Sequence, residues 1–137
     1  MKVENCIFFQ MTKACRTSAA FWAKKVDHLG VTASQAMVLN FLEEEDRVLS
    51  RTLGQKAQIT SATMTGILDR LEKIYLVERQ RHSSDRRAIL ICLTEAGQKV
   101  AKEINSIMVK AHEEYLELIS PENRKSFQAT LQLLSKT

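Results

Sequence analysis

Proline occurs once and glycine four times in 137 residues, a scarcity of helix breakers that argues for long, uninterrupted helices. No apolar run reaches the length of about 18 residues that a membrane span needs. The N-terminus, MKVENCIFFQMTKACR, has neither an apolar signal-peptide core nor a cleavage site, which leaves the cytoplasm as the default location. The three cysteines, Cys6, Cys15 and Cys92, are odd in number and have no CxxC spacing. A disulfide framework and a structural zinc site are therefore not expected, and buried small apolar side chains are the plain reading. There is no glycine-rich phosphate loop, no metal-ligand spacing and no nucleophile motif, and His28, His82 and His112 are scattered. The sequence thus predicts no enzyme, no cofactor and no metal.

What is present is charge of one sign in one place. The formal net charge is +4, and the segment from Arg51 to Leu90 alone carries eight bases against four acids. The middle of the chain therefore holds the whole excess, which points to an anionic partner for that segment.

The apolar pattern divides the chain into helices around a short β-hairpin. Residues from about Asn5 to Lys25 read as a helix whose apolar surface (Ile7, Phe8, Met11, Cys15, Phe21 and Trp22) is wider than one stripe, so it buries two sides. After a turn at His28-Leu29-Gly30, Thr32-Ala33-Ser34-Gln35 fits a capping box that opens a helix to about Glu44. The acids Glu43 to Asp46 oppose the dipole of that helix and read as a solvated corner. Val48-Leu49 is a very short strand, Ser50 an N-cap for a helix from Arg51 to Gln58, and Thr60-Ser61 the start of a helix to about Ile74. Two helices joined by a tight turn suggest a helix-turn-helix. Strands at 76–81 and 88–93 then enclose a basic tip, His82 to Arg87. A helix-turn-helix followed by a hairpin is a winged helix. Thr94 is placed to cap a long helix to about Ile119, roughly 35–40 Å, which exceeds what a compact half of this chain can cover. Ser120-Pro121 opens a last helix with proline at its favoured first position. The expected fold is mainly α, a winged helix-turn-helix lobe over 31–93. Helical segments 1–28 and 95–137 form a dimerisation region, within a single domain of 1–137.

The stretches VTASQAMVLNFL, ITSATMTGILDRLEKIYLVERQ and DRRAILICLTEAGQKV resemble the MarR family of winged-helix regulators, closely over 31–100 and in kind over nearly the whole chain. Asp85-Arg86-Arg87, six residues before Leu93-Thr94, and ILDRLEK are the most diagnostic elements. The resemblance implies a homodimer that binds palindromic double-stranded DNA, as a repressor, and is released by a small phenolic or lipophilic effector or by oxidation. Two positions depart from the family pattern. Gly66 stands where many relatives carry a larger, often basic side chain, and Tyr75 replaces the usual glycine after the recognition helix, which must then end without an easy left-handed residue.

Physical chemistry assigns roles to the same residues. Thr60, Ser61 and Thr63 begin the recognition helix, where hydroxyls and free N–H groups suit phosphate oxygens and base edges; Thr60 also serves as a plain cap. Gly66 admits a close approach or removes a contact, and Arg70 lies two turns on, within reach of a phosphate or of a surface ion pair. At the wing tip Arg87 is the first choice for insertion into a narrow minor groove and Arg86 for a phosphate. Asp85, repelled by phosphate, orients an arginine. Arg51, Arg79 and Arg81 are further candidates for phosphate contact. An effector would use Met11, Arg16, Trp22, Met37 and Phe41, apolar walls with one cation, residues that equally serve as core. A peroxide-sensing branch of the family carries a reactive cysteine near the start of the first helix, close to Cys6. Ungapped counting places that cysteine on Phe8, and Trp22 and Ala33 stand where tyrosines are expected. A thiol-based redox regulator and a winged-helix interaction module without DNA are the alternatives.

Overall fold

The computed structural model describes residues 1–136. Six helices and three strands follow in the order α1 (Ile7–Val26), α2 (Ala33–Glu44), β1 (Val48–Leu49), α3 (Ser50–Ala57), α4 (Ser61–Lys73), β2 (Val77–Arg81), β3 (Ile89–Leu93), α5 (Glu95–Leu116) and α6 (Pro121–Leu134). Short 3-10 turns, Val3–Asn5 and Asp27–Leu29, flank α1. Polar caps set several of these boundaries. Thr32 and Gln35 form a reciprocal capping box: Thr32 Oγ1 accepts from Gln35 N at 3.2 Å and Gln35 Oε1 accepts from Thr32 N at 3.0 Å. Thr60 and Thr94 cap α4 and α5 in the same sense, and Pro121 occupies the first turn of α6. No described helix is long and apolar enough to cross a membrane.

The core fills the winged lobe and extends to the end of α1 and the first half of α5. Val38, Leu39 and Leu42 of α2, Leu53 of α3, Met64, Leu68 and Leu71 of α4, Ile91 of β3 and Ile104 of α5 are almost wholly excluded from solvent. Each such side chain contributes about 1.5–3 kcal/mol of transfer free energy. The sheet is antiparallel in the order β1-β3-β2, with Val48 opposite Ile91, Val77 opposite Leu93 and Arg81 opposite Ile89. β2 and β3 are therefore the two sides of the wing, and the residues between Arg81 and Ile89 form its tip.

Outside the lobe α5 buries Ala101, Ile104 and Ala111, whereas α1 and α6 are nearly bare. The 20-residue α1 buries Val26 and nothing else, and α6 buries no residue. Ile7, Phe8, Phe9 and Met11 on α1 and Phe127, Leu131 and Leu134 on α6 face solvent. The second half of α1 is fastened to α5. Phe21 and Tyr115 meet with ring centroids 5.1 Å apart, and Lys25 lies 4.9 Å over the Phe21 ring while pairing with Glu114.

Three local expectations change. Ser50 is the first residue of α3 and makes no cap, because β1 runs directly into that helix and Leu49 occupies the cap position. The α5 helix ends at Leu116, a turn earlier than its apolar stripe suggests. Tyr75 adopts the left-handed conformation itself, at φ 60°, despite having a Cβ.

Candidate nucleic-acid interface

The helix-turn-helix is closed by its backbone. Gln58 takes a left-handed φ of 53° and Ile59 N donates to Gly54 O at 2.9 Å, which turns the chain from α3 into α4. At the start of α4, Thr60 Oγ1 accepts weakly from Thr63 N at 3.4 Å and donates to Thr63 Oγ1 at 3.0 Å. The cap and the exposed hydroxyl surface are thus the same residues. Met64, Ile67, Leu68 and Leu71 bury one side of α4. Ser61, Ala62, Thr63, Thr65, Gly66, Asp69 and Arg70 lie on its exposed remainder. Arg51 and Ser61 line a shallow groove between α3 and α4, together with Ser50, Gln55, Gln58 and Thr60. A Cβ at Gly66 would meet no atom within 4 Å, so packing within the chain does not require glycine there.

The wing tip is held by short-range bonds that leave its cations free. Asp85 Oδ1 accepts from Arg87 N at 2.9 Å, Ala88 N donates to Asp85 O at 3.1 Å, and His82 N donates to Ala88 O at 3.0 Å. The His82 ring closes against Ser84, whose N–H donates to Nδ1 at 3.2 Å. Asp85 therefore engages the backbone of Arg87, and the side chains of Arg86 and Arg87 stand exposed. Among the described residues, Arg51, Arg70, Arg81, Arg86 and Arg87 form no ion pair.

Arg79 behaves differently from its neighbours. Its Nη2 lies 2.7 Å from Asp69 Oδ1 and its Nη1 2.9 Å from Glu72 Oε2, a fork across two carboxylates of α4. Partial burial alone would lower the pKa of this guanidinium, but the hydrogen bonds and charges of Asp69 and Glu72 outweigh it and hold it above its ordinary value. The sequence offers Arg79 as a candidate phosphate contact; in the structure its guanidinium is engaged by two carboxylates of the same chain. It is a strut between wing and α4, not a free cation. It also offsets part of the negative charge of Asp69 and Glu72, two acids on the exposed side of the helix.

A second anchor was not visible in the sequence. Asp46, read as part of a solvated acidic corner, accepts from Arg47 N and Leu93 N, both at 2.8 Å, through one oxygen. Arg47, at a left-handed φ of 59°, donates from Nη1 to Gln80 Oε1 at 2.8 Å. Glu45 pairs with Lys56. An acidic run at a helix end is the only sequence signal, and it does not reveal which carboxylate turns inward.

The remaining candidates are dispersed. Trp22 and Phe41 pack on the core, with Trp22 Nε1 donating to Ala33 O at 3.2 Å. Met11 and Met37 are exposed, and Arg16 lines a groove along α1 with Phe8, Phe9, Thr12 and Lys13. The five suggested effector residues are thus divided between core, surface and a separate groove. Cys6 is half-exposed at the N-cap of α1, and Cys15 is exposed. Burial pushes the thiol of Cys92 up, against the pull of Arg47 and with the help of Asp46 and Glu78.

Comparison with known proteins converges on one family. The MarR family model matches residues 31–89. The organic hydroperoxide resistance transcriptional regulator of Bacillus subtilis (strain 168) is 32% identical over 97 residues, covering 71% of this chain and 66% of that protein. The chain therefore spans just under two thirds of that relative's length. The uncharacterized HTH-type transcriptional regulator YfiV of the same organism is 30% identical over 129 residues, covering 92% of this chain and 76% of that protein. Among solved structures, reduced AbfR bound to DNA is 30% identical, with a TM-score of 0.76 over 98% of this chain and 92% of that one.

Proposed function

The chain belongs to the MarR family, and from that premise we infer that it is a DNA-binding transcriptional regulator acting as a homodimer on palindromic sites. The observation that carries this reading is the set of unpaired arginines on the winged lobe. Arg51, Arg70, Arg81, Arg86 and Arg87 are exposed and without carboxylate partners, while the two acids of α4 are both bound by Arg79. In the proposed complex the exposed side of α4 lies in a major groove, with Thr60, Ser61 and Thr63 at its leading end and Gly66 allowing close approach. Arg87 enters the neighbouring minor groove, where narrowing concentrates negative potential, and Arg86 and Arg81 meet phosphates. Arg51 meets a phosphate from the α3 side. Asp85 orients the tip through the Arg87 amide.

The bare apolar faces of α1 and α6 support the dimer. Phe8 and Phe9 of α1 and Leu131 and Leu134 of α6 stand exposed to solvent, the kind of large apolar side chain that a partner subunit covers. Two subunits joined there would present two recognition helices about one helical turn apart on one face of the duplex. A repressor role and release by a phenolic or lipophilic effector complete the reading; both rest on the family alone.

Selection of bound sequences from random DNA tests it, followed by gel shift with the Arg87→Ala variant. A palindromic consensus, and weaker binding by Arg87→Ala with the dimer intact, are expected. Undiminished affinity in that variant would refute the wing assignment, and no retention of DNA at low salt would favour a protein-interaction module instead. Repeating the selection with phenolics and with peroxide separates an effector switch from a thiol switch at Cys6.

A further inference from the structure

The turn that leaves α4 is tied to the first turn of α5 through one residue. Thr94 Oγ1 accepts from Gly97 N at 2.9 Å, which caps α5, and donates its own proton to Tyr75 O at 2.7 Å. The backbone N–H of Thr94 donates to Leu76 O at 3.1 Å. On the α4 side, Tyr75 N donates to Glu72 O and Leu76 N to Leu71 O, both at 3.0 Å. A Cβ on Gly97 would stand 1.9 Å from Leu76 O, so the two backbones touch with no side chain between them.

The bond from Thr94 to the Tyr75 carbonyl makes this tie more than a cap. A bulky residue at φ 60° is strained, and the Tyr75 ring is 79% exposed, so packing of the ring does not impose the strain. The left-handed turn ends α4 through the bond from Leu76 N to Leu71 O, and in the same conformation the Tyr75 carbonyl accepts from the Thr94 hydroxyl. Capping alone explains only the bond from Gly97, which any side-chain oxygen at the cap accepts. The bond to Tyr75 requires a donor.

We propose that Thr94 is a positioning residue, whose hydroxyl fixes the angle of α4 against α5 and thereby the separation of the two recognition helices in the dimer. The proposal rests on the dimeric DNA-binding reading above. The leverage follows from geometry. The 13 residues of α4 extend about 20 Å from this junction. A swing of about 10° at the junction moves the far end by about 3.4 Å, one base-pair step of a duplex that repeats every 34–36 Å.

Thr94→Ser keeps both bonds. Thr94→Asp keeps the cap and replaces the donor with a repelling oxygen. Thr94→Gly also lacks the donor and is a second variant that folds, since glycine is nearly as good a cap as threonine. Each is measured by fluorescence anisotropy on palindromes whose half-site separation changes one base pair at a time, beside an isolated half-site. Wild type and Thr94→Ser should share one optimum. Thr94→Asp and Thr94→Gly should lose affinity there by about tenfold, the effect of one mismatched base pair. Their optimum should move or flatten, with half-site affinity unchanged. A wild-type spacing profile in both variants overturns the proposal. The second readout needs no DNA: spin labels on Ala62→Cys in both subunits, with Cys6 and Cys15 replaced by serine, report the distance between recognition helices. An unshifted, unbroadened distance in Thr94→Asp overturns the proposal. A shifted distance in a protein that binds no palindrome upholds it and refutes the DNA-binding reading instead.

Discussion

Alanine at Gly97 tests the junction between α4 and α5 most directly. An added methyl would sit 1.9 Å from the backbone oxygen of Leu76 and 2.9 Å from its carbonyl carbon. An ordinary carbon–oxygen approach is about 3.3 Å, so the two elements must separate by roughly 1.4 Å. The obstruction is backbone, which has no rotamer to escape into, and the upper end of overpacking penalties, about 3 kcal/mol, applies. The separation also strains the bonds from Thr94 to Leu76 O and Tyr75 O, each contributing about 1 kcal/mol. Replacing a helical glycine by alanine returns about 1 kcal/mol. The net destabilisation is about 4 kcal/mol, or a melting point lowered by about 12 °C at roughly 3 °C per kcal/mol for a chain of this size. Gly66→Ala is the internal control. Nothing lies within 4 Å of its added methyl, so the same substitution should stabilise by about 1 kcal/mol. Thermal denaturation followed by circular dichroism at equal protomer concentration reads both. A Gly97→Ala protein that melts within about 3 °C of the parent would refute the reasoning, because the helix-propensity gain would then face no opposing contact.

Arg70→Ala should flatten the dependence of log affinity on log salt by about one, whereas Arg79→Ala should weaken binding with the slope unchanged; equal slopes in Arg70→Ala and wild type would remove the phosphate contact. The lost Arg79 pairs should lower stability by about 1 kcal/mol or less, since their carboxylates are half-exposed. Asp46→Ala leaves the half-buried Leu93 N–H without its acceptor and should destabilise by about 1–3 kcal/mol in urea titrations, while Asp46→Asn, which keeps an acceptor oxygen, should lose less than half as much. Cys92 has a raised thiol pKa in the folded chain, so the unfolded chain releases its proton first as pH rises. Its contribution to stability is complete below the ordinary thiol range, about 8.5, and is lost above it; a Cys92→Ala protein should show a smaller fall in stability between pH 8 and pH 10, a range chosen about that value.

Where a boundary depends on chemistry within four residues, the chain could be read directly. The reciprocal bonds of Thr32 with Gln35, the caps at Thr60 and Thr94 and the proline of α6 all stand where short patterns place them. Boundaries decided by distant contacts could not be read this way. Ser50 has the right side chain for a cap, but pairing of Leu49 with Leu90 holds the preceding residues extended up to the helix, so the helix begins at Ser50 itself. Tyr75 has the wrong side chain for a left-handed turn. The helix-ending bond from Leu76 N to Leu71 O places it there regardless, and the bond from Thr94, nineteen residues away, and the contact of Gly97 with Leu76 hold it. In both cases tertiary contacts worth a few kcal/mol override a local preference of about one.

The same distinction governs the basic segment. Composition gives its charge but not which cations are free. Arg79 and Arg81 are two residues apart on β2 and point to the same side of the strand. The step between them is about 6.6 Å toward the wing tip. That step decides their chemistry: Arg79 falls opposite Asp69 and Glu72, one α4 turn apart, and Arg81 stands beyond them. Nothing in VERQR distinguishes the two; only the register of β2 against β3 and the seating of α4 on the sheet do so. Of the four acids between Arg51 and Leu90, two are bound to Arg79, Asp85 is turned to the Arg87 amide, and Glu78 accepts from Gln80. Each therefore has a partner within the lobe. The formal charge of this segment is unchanged by these bonds, but its placement is not uniform: the acids are held by partners within the lobe, while Arg51, Arg70, Arg81, Arg86 and Arg87 stand exposed without carboxylate partners.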